Sequence, residues 1–144
     1  MNKRDYRFFE LARQQASQSK FDRFHVGCVI VYKGHIIGRG ANADKTHPLQ
    51  KKYNKKRNFN HGGTKPIKHS VHAEIAALSS IPYPIQDNID WSKVKVYTFR
   101  IAPGKSLGQG CSRPCDGCLA AIRDKGIRKI YYSTDDGYAA EEIF

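Results

Sequence analysis

Apolar positions between residues 5 and 18 recur at three- and four-residue spacing, with Phe8, Leu11, Ala12 and Ala16 on one side, which predicts a helix with one buried face. Asp5 stands near its start, where a helix dipole favours negative charge. The period then changes. Residues 26–32 (VGCVIVY) are β-rich and nearly all apolar, which predicts a strand buried on both faces. Lys33-Gly34 interrupts the run and residues 35–40 return as HIIGRG, so the pair predicts a hairpin. From 42 to 70 there is little apolar periodicity, and Pro48, Gly62, Gly63 and Pro66 punctuate the segment. It predicts a long loop, with a short helix through residues 49–53. A compact domain seldom carries so long a loop without a functional reason.

Helical patterning resumes at 71–80 (VHAEIAALSS) and is stopped by Pro82 and Pro84. Residues 94–101 (VKVYTFRI) predict a strand, and 102–114 a Gly/Ser/Pro loop. Residues 115–125 (CDGCLAAIRDK) predict a helix stopped by Gly126, followed by a strand at 127–133. Asp135-Asp136-Gly137 reads as a turn, Trp91 as core or cover, and the tail from 138 carries no clear period. The later half alternates helix and strand, which implies parallel strands covered by helices.

A chain of 144 residues suits one domain, residues 1–144, with an insertion at about 43–70. Such a domain buries roughly 70% of the surface its unfolded chain exposes and needs no disulfides to fold. No stretch approaches the ~18 apolar residues of a membrane span. The start, MNKRDYRFFE, has no apolar stretch behind its charges, so a secretory signal is not expected and the location expected is cytoplasmic. Three of the four cysteines, Cys111, Cys115 and Cys118, lie within eight residues, which reads as metal binding before disulfide formation. The net charge is +12, and residues 45–69 carry eight Lys/Arg and no acid. That balance favours anionic partners, either a nucleotide or single-stranded nucleic acid, and no membrane.

His72-Ala73-Glu74 and Pro114-Cys115-Asp116-Gly117-Cys118 carry the chemistry, each predicted at a helix start. Cys115 and Cys118 are three apart and share a helix face. A helix N-terminus favours thiolate, the metal-binding form. With His72 as a third ligand, a tetrahedral Zn2+ keeps one open position, as catalytic sites do and closed structural sites do not. Glu74, on the same turn as His72, is placed to move a proton without being a ligand. Cys111 is the one nearby thiol that could close the site, and the loop before Pro114 sets it outside the helix. The H-x-E…P-C-x-x-C pattern marks zinc deaminases.

On these motifs, with the VGCVIV strand and Gly40-Ala41-Asn42, the chain from about 26 to 133 resembles the cytidine/deoxycytidylate deaminase superfamily, which also includes tRNA adenosine and nucleic-acid cytosine deaminases. The resemblance implies a three-layer α/β/α fold with a mixed central sheet of four to five strands, one catalytic zinc and often a homo-oligomer. It implies His72, Cys115 and Cys118 as ligands and Glu74 as proton shuttle. Asn42 would contact sugar or base, and Val26 and the Ala73 backbone N–H would line the base pocket. Glu74 would take a proton from water; the hydroxide attacks the ring carbon bearing the exocyclic amine, and ammonia leaves. The motifs leave open cytosine or adenine. The main expectation is a free cytosine nucleotide, dCMP converted to dUMP. The alternative is a polynucleotide, C in single-stranded DNA or RNA or A in tRNA, tracked by the basic segment and stacked on Tyr53, Phe59 or His61. A third class is a zinc-stabilised nucleic-acid-binding module without turnover, and Glu74 speaks against it. Arg100, Lys105 and Arg113 flank the expected mouth, with Arg113 taken as the phosphate contact. His47, His61 and His69 offer a second metal site without a cysteine to join them. Many relatives continue to a further strand and helix, so either the core is reduced here or a partner closes the edge.

Overall fold

The structure is a computed structural model and describes residues 1–54 and 70–143. Lys55, Lys56, Arg57, Phe59, His61, Lys65, Lys68 and His69 of the basic segment therefore lie outside the described residues.

The first helix, α1 (Lys3–Ser17), starts at a capping box: Asn2 accepts from the Asp5 N–H at 2.9 Å, and Asp5 accepts from the Asn2 N–H at 3.1 Å. Its buried face is Phe8, Phe9, Ala12 and Ala16. A hairpin follows, β1 (His25–Tyr32) and β2 (His35–Ala41), with a register shift at Ile30/Val31. Gly27 to Val31 are all buried, in keeping with the apolar run. A short α2 (Pro48–Asn54) stands where the sequence allowed one turn of helix. Then come α3 (Ala73–Ser80), α4 (Tyr83–Gln86), β3 (Val94–Ile101), β4 (Gln109–Gly110), α5 (Asp116–Lys125), β5 (Lys129–Ser133) and β6 (Tyr138–Glu142). Trp91 is half-buried and donates from Nε1 to the Gln86 carbonyl at 3.2 Å.

The sheet runs β2-β1-β3-β5-β6, with β4 paired to β3. β3 and β5 are parallel, joined through α5, and the other pairings are antiparallel. One core lies under α1: Phe8, Phe9, Val29, Tyr97, Phe99 and Tyr131. The other face packs Cys28, Ile30, Val96 and Ile130 against Ile75 and Leu78 of α3 and Leu119 and Ile122 of α5. The result is the expected three-layer α/β/α arrangement, but with six strands rather than four to five. The additions are β4, only two residues long, and β6. β6 is held by the turn in which Thr134 N–H donates to Gly137 at 2.8 Å, by Tyr138 stacked on Phe9 at 4.1 Å, and by buried Ile143. The chain thus lays its own strand beside β5. Among the described residues no helix is long and apolar enough to cross a membrane.

Two glycines of β2 set the height of α3. A Cβ at Gly38 would stand 2.6 Å from the Ala77 carbonyl oxygen, and one at Gly40 would stand 2.7 Å from the Ala77 nitrogen. Helix α3 rests on bare strand backbone there.

Candidate metal centre and active site

His72 and Cys115 occupy equivalent places. Each is the extended residue just before a helix, His72 at φ −84, ψ 157 before α3 and Cys115 at φ −70, ψ 169 before α5. Ser, Thr, Asp or Asn at such positions would hydrogen-bond the first turn, and an apolar replacement costs roughly 1 kcal/mol. Neither His72 nor Cys115 caps its helix. Their side chains turn toward each other instead, and Cys118 joins them from the first turn of α5. The sequence placed both Cys115 and Cys118 inside the helix; Cys115 sits one step before it, and the three-residue spacing still sets both on one side.

The Nδ1 of His72 is 3.3 Å from the Cys118 Sγ and 3.7 Å from the Cys115 Sγ. The three donor atoms all lie within 4.8 Å of one another. A tetrahedral zinc with ordinary bond lengths separates a nitrogen and a sulfur ligand by about 3.6 Å. The donor set therefore fits zinc in both chemistry and spacing. Cys111 is exposed and outside this group, so it does not close the site as a fourth thiol.

The electrostatics favour metal capture. The hydrogen bond from Cys118 brings the Cys115 thiol down to about 3, while Cys118, retaining the proton, is pushed well above its ordinary value. The pair thus carries one negative charge before any metal arrives, and metal binding would release the remaining proton. Glu74 is buried beside them, 5% exposed. Burial pushes its carboxyl up, against a smaller pull from His72. Burial also pushes up the thiol of Cys28, which lies on the sheet beneath Glu74.

His72 and Glu74 open onto a cavity of 190 Å³ that Val26, Asn42, Arg113 and Cys115 also line. Six of the eight residues singled out in the sequence thus share one cavity. Cys118 lies just beneath, fully buried. Ala73 is also fully buried and does not contribute its side chain to the lining; its backbone runs between His72 and Glu74. Arg100, Phe24, Cys111 and Ser112 complete the wall.

Asn42 is more deeply engaged than a turn residue or a simple substrate contact. Its Oδ1 accepts from the Val26 N–H at 2.9 Å and the Ser19 hydroxyl at 2.6 Å, and its Nδ2 donates to the Phe24 carbonyl at 3.0 Å. It ties the start of β1 to the end of β2. Arg113 is held by Glu141 of β6, and Lys105 by Asp135 at 3.1 Å. Arg100 lines the same cavity, stacks on Phe24 at 5.3 Å and forms no ion pair among the described residues. His47 accepts from the Leu49 N–H at 3.1 Å through Nδ1, while His61 and His69 lie outside the described residues, so the second-metal expectation falls partly outside them.

Two supports went unread in the sequence. Gln50 of α2, fully buried, accepts from the His72 N–H at 2.9 Å and donates to Asn54 at 2.8 Å. Its only signal was a polar residue between apolar Leu49 and Tyr53. Thr98, Ser112 and Ser133 form a buried hydroxyl cluster: Ser112 donates to the Thr98 carbonyl at 3.0 Å, and Ser133 donates to the Gly110 carbonyl at 2.7 Å. The Ser133 N–H donates to the Ser112 hydroxyl at 2.9 Å. This cluster anchors the turn that delivers Pro114 and Cys115.

Residues 2–134 match the family model described as the cytidine and deoxycytidylate deaminase zinc-binding region. No curated protein sequence matches the chain. Among solved structures, the dCMP deaminase from the cyanophage S-TIM5 is similar in its apo form, with 20% identity, a TM-score of 0.58, and 93% of this chain and 86% of that one covered. The same enzyme in complex with dCMP and dUMP gives 22% identity and a TM-score of 0.55, over 93% and 84% of the two chains. Cytidine deaminase from Burkholderia pseudomallei is 14% identical at a TM-score of 0.55, over 99% and 93%. At these identities the likeness concerns the fold, and the family model carries the assignment. The chain belongs to the cytidine and deoxycytidylate deaminases, a family of zinc-dependent hydrolases.

Proposed function

We propose that the protein hydrolyses the exocyclic amine of a cytosine base presented as a free nucleotide, converting dCMP to dUMP. The observation that carries this reading is buried Glu74 on the wall of a 190 Å³ cavity, directly beside the His72–Cys115–Cys118 donors.

In this reading His72, Cys115 and Cys118 hold zinc, which when bound supplies Lewis acidity and an acidified water. Glu74 takes one proton from the attacking water and delivers it to the ring N3, then takes the second from the hydroxyl left on C4 and delivers it to the departing amine, so that ammonia leaves and the C4 carbonyl forms. Burial suits it to both roles, because a raised carboxyl holds a proton more readily than an exposed one. Asn42 has one amide N–H beyond those it uses and can offer it to the sugar. Val26 and the backbone of Ala73 flank the base. Arg100, with no ion pair among the described residues, supports a phosphate on the substrate, and Arg113 is the second candidate. The S-TIM5 enzyme, solved with dCMP and dUMP, lends support by likeness of fold. Residues 1–144 act as one catalytic domain, with the basic segment at about 43–70 as an insertion, in a homo-oligomer.

A second reading, deamination within a polynucleotide, is favoured by the net charge of +12. Ammonia release from zinc-loaded protein tests both readings with dCMP, CMP, deoxycytidine, adenosine, single-stranded DNA and tRNA. Turnover of dCMP in preference to the others is expected. Turnover of polynucleotide alone would replace the first reading with the second, and none with any substrate would leave only a zinc-stabilised binding module.

A further inference from the structure

At the other end of the sheet, and on its other face, lies a second concavity of 290 Å³ that the reaction does not use. Its floor is Phe8, Val31 and Tyr97, and its walls carry Arg4, Lys33, Lys93 and Lys95. The strand register locates it. Val26 pairs with Arg100 at the catalytic end of β1 and β3, whereas Val31 pairs with Lys95. The five-residue step from Val26 to Val31 spans about 17 Å along the strand. Val31 and Tyr97 belong to the core under α1, not to the core under α3 and α5.

Four cations thus meet around one small cleft, and none of them forms an ion pair among the described residues. The acids nearby are otherwise engaged. Asp5 accepts from the Tyr97 hydroxyl at 2.5 Å and from the Asn2 N–H at 3.1 Å. Asp90, near Lys93, accepts from the Ser92 N–H at 3.1 Å and the Ser92 hydroxyl at 2.6 Å. The lysines rest on aromatic rings instead: Lys33 lies 5.3 Å from the Tyr32 centroid and Lys95 lies 5.9 Å from that of Tyr131. Such contacts order an ammonium group without neutralising it. Lys95 is also the register partner of Lys129 on β5, a like-charge pairing that opposes folding. Glu142, the partner of Lys129 on its other side, is the acid on that edge.

The backbone adds an independent observation. Lys33, at φ 49, is the one non-glycine residue with positive φ among the described residues. With Gly34 at φ 81 it makes a two-residue hairpin turn in which both central residues are left-handed. Asn, Asp or Gly suit that first position, and a lysine there is strained. Gly34 leaves room beside the tip: the Arg4 Nη1 lies 3.8 Å from where a Cβ would be. A strained lysine, an uncompensated cation cluster and a cleft coincide, and backbone strain retained at one place points to use.

We infer that this cleft binds a compact, multiply charged phosphate ligand, an oligophosphate either free or at the end of a nucleotide. The small volume, with four cations gathered around it, favours a compact group over a strand passing through. The separation from the catalytic cavity sets it apart from substrate capture, and the inference does not rest on which substrate is deaminated.

Calorimetry on the zinc-loaded protein at fixed ionic strength, with inorganic tripolyphosphate as probe, tests it. The variants are Lys33→Asn, which suits the turn and leaves folding intact, and the combination Arg4→Gln, Lys33→Asn, Lys95→Gln. One tripolyphosphate per chain is expected for the unaltered protein. Affinity should fall about tenfold or more in the combined variant, the scale of lost charge-assisted hydrogen bonds. Deaminase turnover at saturating substrate should not change. Tighter binding of a nucleoside triphosphate than of tripolyphosphate would assign the source as a nucleotide, and equal binding a free oligophosphate. No binding, or equal affinity in the variants, overturns the inference. So does a short single-stranded oligonucleotide that binds in preference and is weakened by the same substitutions, since the cleft would then serve a polymer.

Discussion

The guanidinium of Arg113 donates from Nε to Glu141 at 2.7 Å and from Nη2 at 3.4 Å, so the last strand of the sheet grips a residue of the catalytic wall. The pair is exposed on both sides and contributes at most about 1 kcal/mol to stability. Its meaning is positional: any phosphate arriving at Arg113 competes with Glu141. Glu141→Gln is expected to lower KM for dCMP about two- to fivefold, the kinetic equivalent of that same energy. KM for deoxycytidine, which has no phosphate, should not move. Steady-state kinetics on the two substrates decide the matter, and equal shifts would remove Arg113 from phosphate recognition.

Glu74→Gln is nearly isosteric and replaces a carboxyl whose burial opposes its charge. It is expected to keep one zinc per chain and to melt no lower than the parent protein. Turnover should fall by about 10²- to 10⁴-fold, the range for a lost general acid–base. Metal analysis and calorimetric melting beside the rate assay separate this from unfolding. A variant that kept more than a small fraction of the rate would sink the proton-shuttle role.

The cysteines divide in a testable way. Cys115→Ser and Cys118→Ser are each expected to lose stoichiometric zinc, while Cys111→Ser should retain it. After chelation, in the Cys111→Ser background, a thiol alkylator at pH 6 should modify Cys115 first. Its thiol is held near 3, whereas Cys28 and Cys118 are buried with raised values. Peptide mass mapping over time reads the order, and first modification at Cys118 would contradict it.

An alkaline limit follows from Tyr53, whose hydroxyl donates to Asp124 of α5 at 2.6 Å. Burial, with the hydrogen bond and charge of Asp124, pushes this phenol from 10.0 to about 12. The folded value exceeds the unfolded one, so the contribution is complete below pH 10 and fades between 10 and 12. Melting temperature should be level from neutrality to about pH 9 and fall through that window. Tyr53→Phe should melt lower at neutral pH and show a shallower fall. Tyr97, raised by burial and by its bond to Asp5, steepens the same limb in both proteins.

The metal site was legible because two short spacings encode it: His72 to Glu74 within one turn, and Cys115 to Cys118 on one side of another. The helix α1 and strand β3 were legible because their apolar periods are regular. β6 was not, since Tyr138–Glu142 reads YAAEE, a composition that favours helix, and its strand form depends on pairing with β5 and on Tyr138 stacking against Phe9. Nor could spacing reveal Gln50, whose contact with the His72 backbone crosses between helices 22 residues apart. Asn42 lines the cavity, and its work in fastening Val26 and Phe24 is a long-range matter that a Gly-x-Asn pattern does not announce. The exchange of prominence between Arg113 and Arg100 has the same origin. Arg113 is engaged by Glu141, a distant residue on an unforeseen strand, whereas Arg100 has no ion pair among the described residues.

The bare backbone at Gly38 and Gly40 has a consequence for reading variants of this enzyme. Those two positions are a datum surface: the height of His72 and Glu74 above the sheet is referred to them. A methyl group at Gly40 would meet the Ala77 nitrogen at 2.7 Å and lift the whole helix as a shim would. Misplacement of about 1 Å in a reacting group is enough to cost 10²-fold in rate. A lesion there would pass for damage to the chemistry, with every ligand intact and the fault one layer below.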